Sequence, residues 1–241
     1  MNQYIIETKN LSKKSGSAYR VRDLNMQVPK GIVYGFLGPN GAGKTTTLKL
    51  ILGLIRQTDG EIAILGQKVS ASTRLRLNRS IGSLIENPGG YGHLTGLENM
   101  QIIQKLKGVP EDAITSALKT VRLYEQKDKK LKNYSLGMRQ RLGIAMALLG
   151  DPDILILDEP TNGLDPSGIQ EIRTLIRTLS EERGITIIVS SHLLSEVEMA
   201  DYVGIIHHGH MLYQGRLDAL EKEGQTLEDA FLQLTEGGNS L

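Results

Sequence analysis

The sequence runs to 241 residues, 39% hydrophobic and 23% charged, enough for one sizeable α/β domain and incompatible with wholesale disorder. Its 28 basic and 27 acidic residues leave a formal net charge of +1, so a nucleic-acid binder working by bulk positive charge is not expected. With no cysteine, disulfide and thiolate chemistry are excluded.

In chain order, the first 35 or so residues and the segment IAILGQKV (62–69) read as short strands near turns, which predicts a small antiparallel β layer. IVYGFLG (32–38) is a buried-type strand followed by a glycine-rich turn and the helical stretch KTTTLKLILGL (44–54). SIGSLIE (80–86) is the next strand. Residues 87–150, opened by the turn NPGG, are mostly helical by pattern and predict a helical subdomain inserted into the core. DILILDE (153–159) returns to the sheet. Ile169, Ile172, Leu175, Ile176 and Leu179 then share one helical face, Gly184 stops that helix, and TIIVSSH (186–192) follows. YVGII and MLYQG flank HHGH (207–210) as a hairpin, the turn being preferred to a metal site, and TLEDAFLQL (226–234) has helical spacing.

Strands alternating with helices imply parallel crossovers and a sheet covered on both faces. The expected division is 1–86 with 151–215 as core and β subdomain, 87–150 as helical subdomain, and 216–241 as a C-terminal helical tail. The longest apolar run, Ile144–Leu149, is far short of the ~20 residues a bilayer span needs. The N-terminus lacks the features of a signal peptide. A cytoplasmic protein is expected.

GPNGAGKT (38–45) fits the P-loop pattern of Gly, four residues, Gly, Lys and Ser or Thr, between a strand and a helix. In Gly38, Pro39, Asn40, Gly41, Ala42 and Gly43 the backbone can wrap closely enough to aim N–H groups at phosphate oxygens. Lys44, Thr45 and Thr46 open the helix, whose N-terminus favours anions. Such a loop works with Mg²⁺, for which Thr45 supplies one oxygen and Asp158 the natural second contact. Glu159 is positioned to orient or deprotonate a water as general base; the alternative is a structural acid capping the turn at Pro160. Gly38, Glu86, Asp158 and His192 each end a predicted strand, and in an open parallel sheet those ends converge on the ligand crevice. His192 is thereby expected to reach the γ-phosphate.

The segment YSLGMRQRLGIAMALLGDPDILILDEP (134–160) together with the P-loop resembles the nucleotide-binding subunit of ATP-binding cassette (ABC) transporters, in order over roughly residues 4–215. The resemblance implies a P-loop NTPase core, ATP with Mg²⁺ as cofactors, and a head-to-tail dimer of two copies. Ser135 and the backbone at Gly137 would face the second copy's nucleotide, with Asp165 of NGLD reaching across. Three departures stand out. Leu136 lies where the family has glycine. The adenine-stacking aromatic falls on Ser15, leaving Tyr19 as its replacement. The loop glutamine is Glu86, which places a third carboxylate by the metal. With LTGLENM (94–100), these features resemble the branch that exports peptide antibiotics, typified by bacitracin-resistance and lantibiotic-immunity pumps. The resemblance also implies a separate membrane permease as partner, a position on the inner face of the cell membrane, and no nucleic acid. A regulatory ABC ATPase acting on a membrane protein without transport, or a DNA-associated one, is the alternative.

Overall fold

The computed structural model describes residues 3–86, 88–220 and 227–237. In chain order the elements are β1 (Tyr4–Ser15), β2 (Ala18–Leu24), β3 (Gln27–Pro29), β4 (Val33–Leu37), α1 (Lys44–Ile51), β5 (Asp59–Ile64), β6 (Gln67–Lys68), α2 (Arg74–Arg79), β7 (Ile81–Leu84), α3 (Gly96–Lys107), α4 (Asp112–Thr120), α5 (Leu136–Leu148), β8 (Ile154–Asp158), α6 (Pro166–Arg183), β9 (Thr186–Ser191), α7 (Leu194–Val197), β10 (Tyr202–His207), β11 (His210–Arg216) and α8 (Leu227–Gly237).

β4, β8 and β9 are apolar almost throughout and buried at every residue, as strands covered on both faces must be. They form the middle of a six-stranded sheet ordered β11-β10-β4-β9-β8-β7, parallel from β10 to β7, with β11 antiparallel at one edge. The β10–β11 hairpin turns at His207–His210, where HHGH was read as a turn. A second, antiparallel sheet runs β2-β1-β5-β6, with β3 also paired to β1. The P-loop NTPase architecture with its antiparallel β layer is therefore the fold.

Alternate residues of the parallel strands feed two cores. Leu155, Leu157, Ile187 and Val189 pack with α3, α4, α5 and α6. Ile154, Ile156 and Ile188 pack with β1, β2 and α1 on the other face. α3, α4 and α5 thus share a continuous apolar cluster with the sheet.

Local signals place the helix ends. Thr95 and Glu98 make a reciprocal capping box at α3. α6 starts on Asp165 with proline in its first turn and stops at Gly184, whose φ of 64° is the left-handed conformation glycine adopts without penalty. α8 lies in the predicted tail; residues 221–226 and 238–241 of that tail are outside the described residues. Among the described residues, no helix is long and apolar enough to cross a membrane.

Candidate active site

The site lies at the C-terminal ends of β4, β8 and β9. The chain leaves β4 at Gly38 and wraps to the N-terminus of α1. There Gly43 has a φ of 112°, and a Cβ on it would stand 2.7 Å from the Arg20 carbonyl oxygen, so only glycine fits. Lys44 is almost wholly buried. Its ammonium donates to the carbonyls of Gly38 (2.7 Å) and Pro39 (3.3 Å) and stands 3.5 Å from Glu159 Oε1. Thr45 Oγ1 donates to Asp158 Oδ2 at 2.8 Å. A hydroxyl and a carboxylate oxygen converging in this way are the hard oxygen donors that Mg²⁺ takes, so the residues present fit that ion.

The two adjacent acids are separated by the backbone. Asp158 closes β8 in register with Ser190 and is buried. Glu159 turns out of the strand with a φ of 48°, uncommon for a residue with a side chain. The Ser190 hydroxyl ties both together, donating to Asp158 Oδ1 and accepting from the Glu159 N–H at 3.0 Å. Glu159 Oε1 stands 3.5 Å from His192 Nδ1, and Asn162 Nδ2 donates to Glu159 Oε2 at 3.3 Å. The carboxylate therefore faces an ammonium, an imidazole and an amide, an arrangement able to hold a water and take its proton.

Gly38, Lys44, Thr45, Asp158, Glu159 and His192 are brought together. Asn40, Gly41, Ala42, Gly43 and Thr46 line a cleft of about 450 Å³ with Lys44, Thr45 and Glu159. Glu86 is not gathered with the acids: it has a φ of 63° and pairs with Lys49 of α1 at 2.5 Å, on the solvent side. Among the described residues no group of three histidine or acidic side chains is placed to hold a metal, so the three-carboxylate arrangement is absent. Tyr19 does not line the cleft either. Its ring lies under Lys14 Nζ (4.6 Å to the centroid) and near Arg22, while Lys13, Ser15 and Arg20 form the wall.

Ser135 caps α5, its hydroxyl accepting from Met138 N–H at 3.3 Å, and Asp165 caps α6 by accepting from Gly168 N–H at 3.2 Å. Gly137 is in the first turn of α5, where an added Cβ would meet Leu164 at 3.8 Å, an ordinary contact distance. Leu136 is exposed, and a Cβ on Gly163 would stand 3.2 Å from its Cδ2, so the start of α5 rests on the loop before α6. Sequence reasoning missed Ser190, Asn162, Arg20 and Lys49. Two serines closing an otherwise apolar strand were the available signal for Ser190.

The ABC transporter family model matches residues 21–162, more than half the chain. The chain belongs to the ABC transporter family. The bacitracin transport ATP-binding protein BcrA of Enterococcus faecalis is 48% identical over 225 residues, covering 92% of this chain and 73% of that protein. The lantibiotic transport ATP-binding protein SrtF of Streptococcus pyogenes is 43% identical, covering 94% of this chain and 96% of its own. The solved dimer of the ATP-binding cassette MJ0796, in a post-hydrolysis state with ADP and Pi, superimposes with a TM-score of 0.79 at 27% identity, covering 88% of this chain and 98% of that one. This ABC subunit is a nucleotide-binding ATPase of transport type.

Beyond the nucleotide cleft, the ABC subunit carries a groove of about 530 Å³ between β7, α3 and α5, lined by Leu84, Tyr91, Ile103, Leu106 and Met146. Leu106 is 79% exposed and Tyr91 56% exposed at its rim.

Proposed function

We propose that this subunit hydrolyses MgATP to power a separate membrane permease that exports a peptide antibiotic of the bacitracin or lantibiotic kind. The observation that carries the reading is Glu159 beside Lys44 and His192 at the strand ends, in a chain 48% identical to BcrA. The P-loop N–H groups and Lys44 hold the phosphates, and the approach of that negative charge draws Lys44 from its partner Glu159. Thr45 and Asp158 would hold Mg²⁺, which when bound neutralises phosphate charge. Glu159, released, takes a proton from the attacking water, and His192 holds the γ-phosphate side of that water.

Two copies close on two nucleotides, Ser135 and Gly137 of each facing the other's γ-phosphate at a helix N-terminus and Asp165 crossing between them. Support for the dimer is the MJ0796 assembly and the exposure of Ser135 at the start of α5. The groove beside Tyr91 and Leu106, with the loop bearing Glu86, receives the permease and keeps the subunit on the inner face of the membrane. The helical region from 87 to 150 is the part that moves with the permease.

Expression of the chain with its permease in a bacitracin- and lantibiotic-sensitive strain tests this reading. Resistance that rises with the native chain and is lost with Glu159→Gln supports it. Unchanged sensitivity to both classes, with both proteins present in the membrane fraction, would refute the cargo.

A further inference from the structure

The hairpin wall of the nucleotide cleft has no aromatic ring. Three side chains from β1 and β2 line it: Lys13, Ser15 and Arg20. Lys13 is engaged, its ammonium donating to the Arg56 carbonyl at 2.8 Å. Ser15 has no planar face. Arg20 is exposed, and among the described residues its guanidinium makes no hydrogen bond or ion pair.

Backbone register explains why Arg20 faces the cleft. Lys13 pairs with Val21, but the next residue of β1, Lys14, pairs with Tyr19. One step on β1 is thus matched by two on β2, and Arg20 is the extra residue of a β-bulge. Bulges re-aim a side chain and recur beside functional sites. The backbone here is also pinned to the P-loop. The Arg20 carbonyl packs on Gly43, Arg22 N–H donates to Gly209 O at 2.9 Å, and Gly209 N–H donates to Ala42 O at 2.8 Å.

We infer that Arg20 is a nucleotide-binding residue, its planar guanidinium lying on the face of the purine base where an aromatic ring would otherwise stack. Guanidinium stacks on π-systems as a plane and a charge together, which the point charge of a lysine ammonium cannot reproduce. Because every base presents a π-face, such a platform does not separate adenine from guanine. The phosphate end already has Lys44 and the α1 N-terminus. The inference rests on the P-loop cleft being the nucleotide site, and inorganic tripolyphosphate reports on that site without a base.

Calorimetric titration of the full chain with ATP, GTP and tripolyphosphate, each with Mg²⁺, tests it. Arg20→Ala and Arg20→Lys are both expected to weaken ATP and GTP by about 3- to 10-fold. Tripolyphosphate should bind unchanged, and Arg20→Tyr should recover the nucleotide affinity. An equal loss for tripolyphosphate would make Arg20 a phosphate contact, and full affinity in Arg20→Ala would remove it from the site; either overturns the inference. Failure of the native chain to bind ATP and tripolyphosphate alike would remove the nucleotide site itself, and this inference with it.

Discussion

His192 Nδ1 stands 3.5 Å from Glu159 Oε1, buried and without a hydrogen-bond partner among the described residues. An unmade bond of that kind costs about 1–3 kcal/mol, so the imidazole gives little to the resting fold. His192→Ala is therefore expected to slow turnover by about 10²-fold while leaving unfolding free energy within about 0.5 kcal/mol of the native chain. Phosphate release and urea denaturation on the same sample measure both.

Glu159 is expected to separate binding from chemistry. Glu159→Gln keeps the shape and loses the base, so hydrolysis should fall by ~10²–10⁴. Nucleotide binding should persist or tighten, because the carboxylate that holds Lys44 at 3.5 Å in the resting site is gone. Unchanged turnover in this variant would leave Glu159 as a structural acid.

Gly38 is a packing position as much as a loop residue. A Cβ there would stand 2.3 Å from the backbone carbonyl of Ile206, which cannot swing aside as a side chain can. Gly38→Ala should cost about 1–3 kcal/mol or more. It should also weaken nucleotide binding, because the Gly38 carbonyl that accepts from Lys44 must move. Urea midpoints and nucleotide titration give the two readings.

The Lys49–Glu86 pair, though short, is solvent-exposed on its acidic side. A double-mutant cycle with Lys49→Ala and Glu86→Ala is expected to give a coupling of about 0–1 kcal/mol, diminishing with added salt. A coupling of several kcal/mol would mean that the loop after β7 is held by this contact.

The sheet was readable because its strands are continuous apolar runs ending in motif residues. Lys44, Thr45, Asp158 and Glu159 sit in two short contiguous motifs whose positions follow from strand ends alone. The resemblance offers Tyr19 only as the nearest aromatic to Ser15, and the bulge that turns its neighbour Arg20 to the cleft depends on the β1–β2 register, which the segment alone does not show. Glu86 was placed near the acids by its strand end, but a φ of 63° turns it toward Lys49, 37 residues away. Ser190 depended on the pairing of β8 with β9, a register that no single segment contains.

The Ser190 hydroxyl that holds Asp158 and the Glu159 amide also makes the order of the two acids one-way. A glutamate at 158 would push its carboxylate a methylene further into the space Thr45 Oγ1 occupies at 2.8 Å. An aspartate at 159 would retreat by the same length from Lys44 and His192. Both letters are acidic, yet a lineage that transposed them would lose the proposed metal ligand and the proposed base together.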